Sequence, residues 1–386
     1  MTDDPGGSSP ATATRDVPWW STAMHECRML LFAADFPRAL AVAERAAARA
    51  RREDDARAWR RFANQQALAL SGACRFEEAL ALCDEVIASV PEADDRGAVA
   101  QAWNTGAAAA QRLARDDTLR RLDSALAIGE WYLDEEGRFD SLARTAATAA
   151  SLGLAELGDS VYRRVVADID DGAAGRLSPS SIMWIKAQGI TVRLWWALWL
   201  GFRGDLRAAA VYEGAIELIR GVLAELPGGP GLVGTAAGVL RAFEGQALVT
   251  LGRTDEAREP LARAAATLPG ASPDVFSAAV ELACGFSALR MRTVRGREAA
   301  ELAAQLVRVA QRSGDMWAEA ESWRLAAGTA AADGDRLAYS VAQGRFEALV
   351  DRLDWRRRLQ SAELLAFRSR TLRLIVEGED WLHPPA

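Results

Sequence analysis

Apolar residues recur along the chain at i, i+3 and i+4, and no run alternates with a period of two for long. The pattern predicts helices from one end to the other and an all-α fold. The alanine load fits, because alanine is the most favourable residue in a helix. Prolines fall where the apolar stripes break, at Pro91, Pro179, Pro227, Pro230, Pro269 and Pro273. Pro260 is the exception: it sits about one turn inside a predicted helix and should kink it.

The stripes are arranged in repeating pairs. The clearest unit runs from Leu251 to Pro269, LGRTDEAREPLARAAATLP. A glycine-containing turn opens a helix that carries Ala257, Leu261, Ala264 and Leu268 on one face. Upstream, Ala242, Gly245 and Leu248 give the preceding helix small and apolar positions, so that two backbones can approach closely. The arrangement returns as Arg75-Phe76-Glu-Glu-Ala79 before Cys83, Val86 and Pro91, and as Asp35-Phe36-Pro-Arg-Ala39 before Ala43 and Ala46. It returns again as Gly204-Asp-Leu206-Arg-Ala-Ala209 before Ile216, and as Gly334-Asp-Arg-Leu-Ala-Tyr339 before Phe346. Turns are predicted near 35, 75, 115, 158, 204, 252, 294 and 334, about 40 to 48 residues apart.

These units resemble the tetratricopeptide family, whose helix-turn-helix repeat has a small residue in its first helix, Gly-x-[Phe/Tyr] at the turn, Ala early in the second helix and a closing Pro. The match is best at the hairpins turning near 75 and 252 and poorest near 115, 158 and 294. The resemblance implies an α-solenoid of about eight hairpins over residues 17–352, with a capping helix at 353–377 and tails at 1–16 and 378–386. The cap, from Trp355 to about Val376, would turn Leu359, Leu364, Leu365, Leu372 and Ile375 inward. It also implies recognition rather than catalysis, with a protein or peptide partner held in the concave groove of the superhelix. By register with the family motif, Asn64, Leu68, Asn104 and Gln246 occupy groove positions; Lys186, Arg193 and Arg241 are cations on the corresponding helices. The long units are similar to the sensor arrays of actinobacterial signalling proteins, in which an output domain follows the array. No stretch after residue 377 suggests such a domain, which leaves a non-catalytic adaptor, or a ligand- or peptide-sensing regulator acting through a separate output protein.

Charge narrows the partners. Among 386 residues, 46 are Lys or Arg and 53 Asp or Glu, a net charge of −7. This balance argues against nucleic acid as a partner of the whole chain. Lys186 is the sole lysine, which reads as codon bias. The first sixteen residues are small, acidic and rich in Pro, Gly and Ser, unlike a secretory leader. The most apolar segment, Ser181–Phe202, is interrupted by Lys186, Gln188 and Arg193, so a membrane span is not expected and the chain reads as cytoplasmic.

Candidate chemistry is sparse. Asp168-Ile-Asp170-Asp171 matches the acid of class II terpene cyclases, and Trp184, Trp195, Trp196 and Trp199 follow within reach of a cation–π role. Against it, the acids end a helix before Gly172 and read as a solvated loop, while Trp195, Trp196 and Trp199 read as a helix buried on both sides or, alternatively, as one with a ring opening to the concave groove. Asp116-Asp117 opens a helix, where acids oppose the macrodipole. His25 and His383 are the two histidines and have no ligand set around them. Cys27, Cys74, Cys83 and Cys284 lack metal spacing and read as reduced thiols. Phosphate-loop and serine-hydrolase signatures are absent, so neither a metal nor an organic cofactor is expected.

Overall fold

The structure is a computed structural model that describes residues 19–89, 95–132, 135–151, 154–170, 177, 179–202, 204–226, 232–268 and 274–359. Those residues form sixteen α-helices and no strand. They pair as eight hairpins: α1 (Ser21–Phe32) with α2 (Phe36–Arg52), α3 (Ala56–Gly72) with α4 (Phe76–Ala88), α5 (Arg96–Arg112) with α6 (Thr118–Tyr132), and α7 (Glu135–Ser151) with α8 (Ala155–Asp170). The series continues with α9 (Pro179–Phe202) and α10 (Arg207–Glu225), α11 (Leu232–Thr250) and α12 (Thr254–Ala265), α13 (Val275–Arg290) and α14 (Gly296–Arg312), and α15 (Met316–Asp333) and α16 (Arg336–Leu359). The chain is an all-α helical-repeat solenoid of the tetratricopeptide-like kind.

One backbone device makes every hairpin. The N–H groups of Asp35, Arg75, Arg115, Leu154, Asp205, Arg253, Thr293 and Asp335 reach back five residues to the carbonyls of Leu30, Leu70, Ala110, Ala149, Leu200, Leu248, Ala288 and Ala330, at 2.8–3.1 Å. Such a bond closes the last helical turn and satisfies a carbonyl that the helix leaves over. It places the preceding residue in the left-handed region: Ala34, Cys74, Ala114 and Arg292 as well as Gly204, Gly252 and Gly334. The next helix then starts on a cap where the sequence supplies one. The Asp35 carboxylate accepts from Arg38 N–H and the Asp335 carboxylate from Ala338 N–H. Between hairpins, Asp55 caps α3, Asp315 caps α15, and Asp274 with Ser277 forms a capping box on α13.

Small residues let the paired helices close. A Cβ on Gly245 would stand 2.4 Å from Leu261 Cγ, so this glycine is where α12 seats on α11. At Gly189 the same addition would meet the Tyr162 ring at 1.9 Å. Alanines fill most of the first core, with Phe62 fully buried among Ala39, Ala43, Ala63 and Ala79.

Seven of the eight predicted turns coincide with hairpin turns. The turn expected near 158 falls between Ser151 and Ala155 instead, and Gly158 is inside α8, where its missing Cβ admits the Ala146 carbonyl (2.5 Å to an added Cβ). Pro260 lies inside α12, where the sequence placed it, and is buried there. Helix α16 runs unbroken across residue 353, where a separate cap was expected to begin. The remainder of that cap, 360–377, and both tails lie outside the described residues.

Periodicity gives no warning that distant hairpins meet. Phe36, opening α2, stacks on Phe276 in α13 with ring centroids 5.8 Å apart. Arg112 at the end of α5 reaches Asp315 at 3.1 Å. Trp317 in α15 donates its indole N–H to the carbonyl of Ser151 at 3.3 Å and meets the Trp195 ring edge-on at 6.3 Å. The array therefore winds far enough for hairpins seven and eight to seat against hairpins one to five. Gly314 sits in this seam with φ +64°, and an added Cβ would come 2.9 Å from the Arg112 carbonyl.

Candidate functional site

The odd-numbered helices follow one another through the array, α3 against α5, α7 against α9, and α11 against α13. The face they share carries all the side chains singled out by register. Two positions on it behave differently. Ten residues before the left-handed turn residue stand Asn64 and Asn104, and both are buried. Six residues before it stand Leu68, Ala108, Leu198 and Gln246, and all four are half-buried.

Asn64 and Asn104 thus lie between helices and not on an open surface. The Asn64 amide donates to the Ala98 carbonyl at 2.9 Å and ties α3 to α5. Their Oδ1 atoms, with the hydroxyls of Ser71 and Thr145, are buried acceptors that receive no hydrogen bond from the described residues. A buried acceptor without a donor costs roughly 1–3 kcal/mol, so this layer is polar without being fully satisfied.

Two of the cations are also tied down. Lys186 Nζ contacts both carboxylate oxygens of Glu225 at 2.8 and 2.6 Å. Arg193 donates to the Gly214 carbonyl at 2.9 Å, and its Nε stands 4.0 Å from buried Asp159, which also pairs with Arg163. Both therefore pin neighbouring helices. Arg241 on α11 is half-buried and has no ion-pair partner among the described residues. Of the seven candidates, Leu68, Arg241 and Gln246 remain available to a ligand on geometry.

The last hairpins carry a charged layer that the sequence reading did not find. Arg290 of α13 donates to Glu321 of α15 at 2.7 Å and to Thr250 of α11 at 2.6 Å. Arg324 closes on Glu321 through two bonds of 2.7 Å. Burial pushes the Glu321 carboxyl upward, but the hydrogen bonds and charges of Arg324 and Arg290 outweigh it and hold the group below the usual carboxylate range. The i, i+3 spacing of Glu321 and Arg324 was available in the sequence; the partner on α13 was not.

The acid motif is a surface feature. Asp168 pairs with Arg164 one helical turn earlier at 2.9 Å, and Asp170 is exposed at the end of α8; Asp171 lies outside the described residues. A protonating aspartate needs a dry pocket, and these two have solvent. Trp195 and Trp196 are half-buried against the core around α7 and α8, and Trp195 also meets Trp317 across the seam. The side chains of Trp184 and Trp199 lie outside the described residues. Asp117, just ahead of α6, receives Arg121 at 2.7 Å, and Arg121 also holds Asp84.

The four cysteines are free thiols. Burial raises Cys27 and Cys83 to about 12, which keeps them protonated and unreactive. His25 is exposed, and no cluster of metal-ligating side chains occurs among the described residues. No helix among them is long and apolar enough to cross a membrane.

No protein-family model matches the chain, and no curated protein does. Solved structures do match. The crystal structure of Rap protein complexed with competence and sporulation factor superposes with a TM-score of 0.53 at 13% identity, over 92% of this chain and 97% of that one. At such identity the likeness is one of fold.

Proposed function

We propose that the chain is a non-catalytic regulatory module that holds an extended peptide segment in the concave groove of its superhelix. The observation that carries this reading is the half-buried set of Leu68, Ala108, Leu198 and Gln246, which share one register in four repeats of the middle of the array, while the equivalent Phe286 is buried and Arg28 and Gly328 are exposed. Neighbouring helices are spaced roughly 8–10 Å apart, so each step between repeats corresponds to about three residues of extended chain at ~3.3 Å each. A peptide laid along these positions would present every third side chain to a repeat. Leu68 and Leu198 supply apolar contact, Gln246 an amide that can pair with peptide backbone, and Arg241 a nearby charge.

The test is selection of random twelve-residue peptides on the purified chain, followed by fluorescence anisotropy with the best binder. Leu68→Arg and Gln246→Arg should each weaken it at least about tenfold, or ~1.4 kcal/mol, while Arg297→Gln on the outer face of α14 should not. Binders indifferent to both groove substitutions would refute the reading. The likeness to Rap protein complexed with competence and sporulation factor favours a second, compatible reading, in which the chain senses its ligand and passes the signal to a separate protein.

A further inference from the structure

The seam between distant hairpins leaves an open cleft of about 560 Å³, within the usual range for ligand pockets. One wall comes from the turns that end α3 and α5, with Arg75, Glu77, Glu78 and Arg112; the other comes from α14, α15 and α16, with Arg312, Glu319 and Arg352. Phe76, Leu113 and Met316 add apolar surface. Most of the charged groups are already engaged. Arg75 is held by both oxygens of Glu78 at 2.6 Å, Arg112 by Asp315 at 3.1 Å, and Glu319 accepts from Gln311 at 2.8 Å.

Three are not engaged in this way. Arg312 finds its nearest carboxylate oxygen, on Glu281, only at 3.8 Å. Neither Arg352 nor Glu77 has an ion-pair partner among the described residues. The least engaged charges are therefore sorted by wall, with Arg352 and the loosely paired Arg312 on the side of the late hairpins and the Glu77 carboxylate on the side of the early ones. A simple polyanion fits poorly, because Glu77 and Glu319 would repel it. A dication fits worse. The complementary ligand carries opposite charges at its two ends and an apolar group between them.

We propose that this cleft is a second binding site, separate from the groove, for a short peptide with a free amino and a free carboxyl terminus. Its carboxylate pairs with Arg312 and Arg352, its ammonium with Glu77, and a central apolar side chain rests on Phe76 and Met316. Because the walls belong to different turns of the superhelix, the ligand fastens the seam.

The probe is a set of tripeptides Gly-Leu-Gly, Gly-Phe-Gly and Gly-Met-Gly with free termini, added to the purified full chain and followed by saturation-transfer NMR. Binding is expected, and amidating the carboxyl end or acetylating the amino end should each weaken it about tenfold, as loss of one charge-assisted contact does. In the Arg312→Gln, Arg352→Gln double variant the effect of amidation should vanish, and in Glu77→Gln the effect of acetylation should vanish. All three positions are exposed, so the variants are expected to fold, and circular dichroism checks this. Absence of saturation transfer from all three tripeptides overturns the proposal, as does binding indifferent to capping. Binding that survives these substitutions but is lost in Gln246→Arg also overturns it, and moves the peptide to the groove. The groove reading stands or falls separately on the longer peptides and on Leu68.

Discussion

The early and the late hairpins solve the same packing problem with different chemistry. Between α3 and α5 the buried amides Asn64 and Asn104 are neutral and lie about one turn from a single buried ion pair, Arg60 with Asp95 at 3.2 Å; Asn64 reaches the Ala98 carbonyl, and the acceptors of Asn64 and Asn104 have no partner among the described residues. Between α13 and α15 the polar side chains are charged, and Glu321 is gripped by Arg290 and Arg324. Backbone geometry is common to both, because the same reach-back bond ends α3, α5, α13 and α15. What differs is the consequence of losing a group. A neutral amide that leaves takes about one hydrogen bond with it, whereas a carboxylate that leaves strands two guanidiniums, one of them three-quarters buried.

The largest expected effect follows from that asymmetry. Glu321→Gln should destabilise the chain by about 3 kcal/mol in urea unfolding, at the low end for a broken buried pair because Arg324 is 45% exposed. Replacing Arg290 and Glu321 together by methionine should cost much less. Acid should act in the same direction. The Glu321 pKa is depressed in the folded state, so its contribution is complete above the ordinary carboxylate value of 4.5 and is lost as pH falls through the lower folded value. Unfolding midpoints followed below pH 4.5 should therefore fall more steeply for the wild type than for Glu321→Gln. Parallel curves would mean that the late layer is no more electrostatic than the early one.

Next in size is a steric test within the late half. Gly245→Ala should cost ~1–3 kcal/mol, since the new methyl enters the space of Leu261. Gly344→Ala on α16 meets nothing within 4 Å and should stabilise by ~0.5–1 kcal/mol. Thermal melts of the two variants should move in opposite directions.

The repeats could be read from the sequence because two of their signals are local: glycine or a polar residue at the turn, and a small residue one helix earlier. Where the turn residue is Ala34, Cys74, Ala114 or Arg292, the left-handed backbone has no signature at all. The groove was half legible. Positions ten and six before the turn are about one helical turn apart, so both point to roughly the same side. Which one stays open depends on how closely the next helix lies, and that distance is set by residues some forty positions away. Lys186 and Arg193 were legible as cations but not as paired ones, since Glu225 and Gly214 belong to the following helix. The seam was not legible at all; Arg112 and Asp315 are 203 residues apart.

The unmarked turns give a smaller prediction on the early side. Ala114 holds φ +57° and Gly252 holds φ +78° at equivalent places. Ala114→Gly should raise stability by about 1 kcal/mol by relieving the left-handed strain, and Gly252→Ala should lower it by a similar amount. The check is the urea midpoint of each variant at unchanged slope.

The smallest effect is expected at Asn64, and it sharpens the comparison most. Asn64→Leu keeps nearly the same shape and removes both halves of the amide at once. It forfeits the bond to the Ala98 carbonyl, about 1 kcal/mol. It also removes a buried oxygen that has no donor among the described residues, and it puts an apolar side chain at a fully buried position. These terms oppose each other, so the net change should stay within about 1 kcal/mol, and it should change little between pH 4 and pH 7 because neither the Asn64 amide nor the Ala98 carbonyl titrates. Asn64→Ala is the control, since it loses the bond and leaves a cavity, and it should cost more than Asn64→Leu. Should Asn64→Leu instead cost as much as Glu321→Gln, the oxygen is engaged in the folded protein, and the early layer is as dependent on its polar groups as the late one.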